Sequence, residues 1–126
     1  MLVINPTTKM ICLTRGDIAN ILVSAKLQDK TTYTFQRGDV VRFAVFKRND
    51  CATVVIQKDF TVSEPADKVM VSLTKEDTTI GGIINKPFDY WYEIELNPET
   101  EPQTIIGYDI DGEKIFRLYP EGSVSL

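Results

Sequence analysis

Three groups of side chains have the types and spacing that chemistry uses. Asp109, Asp111 and Glu113 alternate in "DIDGE", a pattern of carboxylates that could face a calcium ion. Glu93 and Glu95 stand two residues apart, a pair able in principle to hold and release a proton. Cys12 and Cys51 are the two thiols of the chain. A fourth pattern concerns recognition rather than reaction. Arg-Gly-Asp, a tripeptide known as a cell-adhesion signal, occurs at Arg15-Gly16-Asp17 and again at Arg37-Gly38-Asp39.

The reactive groups do not extend into sites. A calcium loop needs about 6–8 oxygen ligands spread over about twelve residues, which "DIDGE" does not supply. Asp111-Gly112 reads instead as a hairpin turn of type I′, whose two central residues must tolerate positive φ. The chain has no histidine, and its two cysteines are far apart, so zinc has no ligand set. The same absence removes the usual general base and the usual activator of a serine or cysteine nucleophile. Gly81-Gly82 belong to no phosphate-binding pattern. The expectation is a non-enzyme without metal or cofactor, with both cysteines as free thiols.

The elements behind these residues are strands. Short runs rich in β-branched and aromatic residues recur at roughly ten-residue spacing, bounded by Gly, Pro, Asn and Asp. They are 9–13, 18–27, 40–47, 53–60, 68–73, 88–96, 104–110 and 113–119. In 88–96, Phe88, Tyr90, Tyr92, Ile94 and Leu96 point one way, while Asp89, Trp91, Glu93 and Glu95 point the other. In the third run Val41, Phe43 and Val45 alternate with Arg42 and Ala44. "TKEDTTIGG" (74–82) allows one turn of helix before its glycines. "RND" (48–50) fits a short hairpin, and "NPETEP" (97–102) a longer loop. About seven or eight strands predict an all-β, antiparallel sandwich or barrel. Residues 1–126 read as one domain, with 1–8 a loose N-terminal arm.

Each Arg-Gly-Asp leads directly into such a strand. Gly16 and Gly38 can take backbone angles barred to other residues, and Asp17 and Asp39 can accept nearby N–H groups. The expectation is therefore turn chemistry rather than adhesion, with the glycines important and the arginines not. Trp91, on the face with Asp89, Glu93 and Glu95, is either covered by a neighbouring loop or the candidate anchor for a protein contact. A sugar stacked on Trp91 with Tyr33 or Tyr108 is the alternative.

The net charge of -4, without a dense basic stretch, argues against nucleic acid. No apolar run approaches the roughly 18 residues of a membrane helix. The N-terminus lacks the basic start and long apolar centre of a signal peptide, which predicts a chain made and kept without export.

Four stretches in order resemble the immunoglobulin-like N-terminal domain of phage baseplate upper proteins and related small prophage tail proteins. They are "TRGDIANILV", "RGDVVRFAVFK", "LTKEDTTI" before the tyrosine-rich "YWYEIEL", and "FRLYPEGSVSL", where Pro120 and Gly122 introduce a terminal strand. They span roughly residues 9–126, with "GGIINKPF" (81–88) insert-like before the tyrosine strand. The resemblance implies an immunoglobulin-like β-sandwich. It further implies a virion structural role without catalytic residues, in contact with other tail or baseplate proteins and with copies of itself.

Overall fold

The computed structural model of the chain describes residues 2–27, 29–48 and 50–121, and for 50–52 the backbone alone. It is all-β. Among the described residues nine strands and one helical turn follow in order: β1 (Leu2–Ile4), β2 (Ile11–Thr14), β3 (Ala19–Val23), β4 (Val40–Lys47), β5 (Asp50–Thr61), β6 (Val69–Leu73), α1 (Lys75–Thr78), β7 (Phe88–Leu96), β8 (Gln103–Ile106) and β9 (Lys114–Tyr119). Two sheets result. The larger runs β1-β2-β9-β7-β4-β5, with β8 also paired to β7; the smaller is β3-β6.

Alternation decides which side chains meet between the sheets. Along β7 buried and half-buried residues alternate without a break from Tyr90 to Leu96. Tyr90, Tyr92 and Ile94 join Phe43 and Val45 of β4 and Val71 of β6 in one cluster that also holds Phe116, Leu118, Ile21 and Phe35. Phe43 lies against both Tyr92 and Phe116, with ring centroids 5.7 and 6.1 Å apart. Phe88 falls on the same side by parity, yet stands exposed at the end of β7.

Three expectations need correction. The large sheet is mixed, because β2 and β9 run parallel from Ile11↔Phe116 to Thr14↔Tyr119. These neighbours come from opposite ends of the sequence, so no hairpin reverses one against the other. Leu2–Ile4, read as part of a loose arm, form an edge strand antiparallel to β2. Lastly, "DIDGE" makes a tight antiparallel turn, Asp109 opposite Gly112, but does not pair β8 with β9 as a hairpin. β8 and β9 occupy the same edge of β7 in succession, Ile106 opposite Ile94 and Lys114 opposite Tyr92. They form one interrupted strand, and 107–113 is an excursion from it. Asp109 and Gly112 close the excursion by two backbone hydrogen bonds of 3.2 and 2.9 Å. The positive φ falls on Gly112 (+91°), not on Ile110 or Asp111, so the turn is not type I′.

The backbone on both sides of "RND" pairs antiparallel as β4 and β5, while Asn49 lies outside the described residues. So does the terminal strand expected after Gly122. The helical turn forms in the 74–82 window, with Thr74 and Asp77 making a reciprocal capping box.

Candidate interaction surface

Both Arg-Gly-Asp sequences are tight turns of one type. The Asp17 N–H donates to the Thr14 carbonyl and the Asp39 N–H to the Gln36 carbonyl, each at 3.0 Å. Gly16 and Gly38 occupy the third position with φ of +88° and +92°. That is the type II signature, which favours glycine there. The side chains then diverge. Arg15, read as dispensable, is only 9% exposed. Its guanidinium donates to the carbonyls of Ile80 and Gly81, both at 3.0 Å, and pairs with Glu121 at 2.7 Å. Arg37 is exposed. Around the second turn Asp39 makes the ties, accepting from the Tyr33 hydroxyl (2.7 Å), the Gln36 N–H (2.8 Å) and the Asn97 amide (3.2 Å). Burial raises the Asp39 carboxyl, but these hydrogen bonds together hold it below its ordinary range. The first turn is further held by Thr78, whose buried hydroxyl donates to the Asp17 carbonyl at 2.7 Å.

The candidate contact residues lie on the outer face of the large sheet. Register places Phe46 of β4 and Ile115 of β9 on either side of Trp91. Trp91 stacks on Phe46 with centroids 4.5 Å apart and planes 24° apart, so it has an intramolecular neighbour that the sequence reading left out. The signal was present: alternation through Arg42 and Ala44 continues to Phe46. Val54 of β5, opposite Phe46 and exposed, extends the stripe. A register shift in β5 brings Val54 there, between Ile56 opposite Val45 and Val54 opposite Phe46.

Charges border this stripe. Asp89 accepts two hydrogen bonds from Arg117, at 2.6 and 3.0 Å, and lies 3.5 Å from Arg48. Those bonds, above all from Arg117, hold the Asp89 carboxyl below its usual range. Arg48 reaches Glu113 at 2.6 Å, and Arg42 reaches Asp59 at 2.8 Å and Glu99 at 3.0 Å. Glu93 and Glu95 are in no ion pair among the described residues. Burial, and then the neighbouring Glu95 carboxylate, push Glu93 up.

The remaining candidates do not gather into a reaction site. Asp109 accepts from the buried Lys114 ammonium at 2.7 Å and from the Asp111 N–H at 2.9 Å. Among the described residues no group of three His, Cys, Asp or Glu side chains is placed to hold a metal ion. Cys12 is a free thiol on β2, and the Cys51 side chain lies outside the description. Tyr33 packs edge-on to Phe35, at 5.4 Å, rather than beside Trp91. Tyr108 is exposed in the 107–113 excursion. No described helix is long and apolar enough to cross a membrane.

No protein-family model matches the chain, and no solved structure matches it. Among curated proteins it is similar to the Homo sapiens [pyruvate dehydrogenase (acetyl-transferring)] kinase isozyme 3, mitochondrial, at 28% identity over 142 aligned residues. The alignment covers 95% of this chain and 35% of the human protein. The Mus musculus counterpart is 30% identical over 99 residues, 67% of this chain and 24% of that protein. The chain thus spans about a third or less of the curated proteins it matches.

Proposed function

We propose that this chain is a non-enzymatic structural component of a phage or prophage tail or baseplate, an immunoglobulin-like β-sandwich that acts in virion assembly through protein–protein contacts. The observation that supports the contact role is the Phe46–Trp91 stack, held between ion-paired borders on the open face of the large sheet. An aromatic centre with a charged rim is the composition of an interface rather than of a solvated strand face. The virion setting rests on the resemblance of the four ordered stretches. A sugar-binding module is the second reading, and the separation of Tyr33 from the Trp91 stack ranks it there.

The test is the particle itself. Particles induced from the host carrying this sequence should contain the chain by mass spectrometry. Antibody against it should mark the tail or baseplate in electron micrographs. Particles free of the chain overturn the virion role.

A further inference from the structure

We propose that Glu93 and Glu95 form a proton-operated latch on β8: with a proton between them the strand is docked on β7, and without it the strand lifts off. The two glutamates occupy successive outward positions of β7, half-buried, and their carboxyl groups lie within hydrogen-bonding reach of each other. An ionised carboxylate can only accept, so the two meet in this way only when one carries a proton and donates it to the other. Beside this pair the edge is irregular. The β8 pairing shifts register between Ile94 and Glu95, with Ile106 opposite Ile94 and Thr104 opposite Glu95. Directly after Ile106 the backbone closes over Glu93. Gly107 is buried, and a Cβ on it would lie 3.4 Å from the Glu93 Cγ, 3.5 Å from its Oε2 and 2.6 Å from the Thr104 Cγ2. Glycine leaves the carboxyl its room under the chain.

The charges around the pair do not neutralise it. On β4, Ala44 faces Glu93 and Arg42 faces Glu95, but the Arg42 guanidinium is held by Asp59 of β5 and Glu99 of the 97–102 loop. That loop adds Glu101, and β5 adds Gln57 opposite Ala44. On β9, Arg117 is bound to Asp89. The 107–113 excursion carries Tyr108, Asp109, Asp111 and Glu113, of which Asp109 holds Lys114 and Glu113 holds Arg48. Lys9 and Lys114 line a cleft with residues 104–109 that neither glutamate lines. Burial, then the Glu95 carboxylate, raise the Glu93 pKa above its ordinary 4.5. The docked strand thus holds a proton that the lifted one, with Glu93 back in water, gives up. Docking is strongest below the ordinary value and weakens as pH rises through the raised one. Once both groups are ionised, like charges stand in contact and Glu93 cannot swing toward Gly107, where the backbone lies. The relief is for residues 103–107 to lift and admit water.

Amide hydrogen exchange on the whole chain, corrected for the intrinsic effect of pH, tests this. Between pH 4.5 and neutrality the β8 amides bonded to β7 should lose protection several-fold, while those between β4 and β7 keep theirs. Glu93→Gln sets a permanent amide donor against Glu95, so its β8 protection should stay high and flat over the same range. Glu95→Gln makes the same comparison with the donor on the other side, should the first variant fail to fold by circular dichroism. Carboxyl NMR of the wild type should place the Glu93 midpoint above 4.5. Protection of β8 that does not change with pH overturns the latch. So does a pH-dependent loss of equal size in the glutamine variants, or a Glu93 that titrates at its ordinary value.

Discussion

The two Arg-Gly-Asp turns share a tripeptide, a hydrogen-bond pattern and a positive-φ glycine, yet the fold uses them differently. In the first, arginine carries the ties: Arg15 lies buried across Ile80, Gly81 and Glu121 and so fastens the 80–81 loop and the end of β9 to the turn after β2. In the second, aspartate does so: Asp39 gathers Tyr33, Gln36 and Asn97 while Arg37 faces solvent. Glycine is required by the backbone in both. Identical residues thus take their roles from what surrounds them, and neither copy presents a free guanidinium and a free carboxylate together, as an adhesion signal would.

The largest expected effect follows from Arg15. Its removal strands two carbonyls and a carboxylate, so Arg15→Ala should cost about 3 kcal/mol, given roughly 1.5–3 kcal/mol for hydrogen bonds to charged groups. Denaturant melts that match wild type would make the two turns equivalent after all. Asp39→Ala should cost about 2 kcal/mol on the same basis, and less in acid. The sign follows from the lowered pKa. Stability from the ionised Asp39 is full above the unfolded carboxyl pKa near 4 and is lost as pH falls through the lower folded value. The wild-type advantage over Asp39→Asn should therefore shrink below about pH 4. A constant gap from neutral pH downward would mean that the hydrogen bonds to Asp39 do not depend on its charge.

Gly16→Ala and Gly38→Ala should each cost about 1–2 kcal/mol, the cost of a left-handed residue with a side chain. Space is not the issue: a Cβ on Gly16 would lie 3.6 Å from the Thr79 hydroxyl, and one on Gly38 would meet nothing within 4 Å. Unequal losses would point to a packing difference that the two turns do not display. Smallest is Arg37→Ala, expected within about 0.5 kcal/mol, as for exposed side chains generally. RGD-dependent attachment of cells to the wild-type protein, lost on Asp39→Glu, would assign the exposed turn a role that its bonded carboxylate argues against.

Strand positions were readable because period-two alternation is a local property, and β7 came out over 88–96 as the pattern required. The glycine turns were readable too, since positive φ is written into residue type. Partnership was not. Nothing near Arg15 says that residues 80, 81 and 121 will surround it, because those contacts cross most of the chain. Likewise Asp111-Gly112 announces a turn, but whether the flanking strands pair with each other or succeed one another along β7 depends on which edge β9 finds. The stack of Trp91 on Phe46 needed the register of β4 against β7, which alternation alone leaves free to slide.

The parallel pairing of β2 with β9 has a mechanical meaning. The chain enters β2 at Ile11, opposite Phe116, and leaves β9 at Tyr119, opposite Thr14, so the two leads point in opposite directions. Tension applied across them would first peel β1 from β2, one residue pair at a time. It would then meet the β2–β9 hydrogen bonds in shear, where all must stretch together before any breaks. Stretched from Leu2 and Glu121, the described part of the chain should hold longer than its marginal edge strand suggests, with the clasp between β2 and β9 as the part that finally gives.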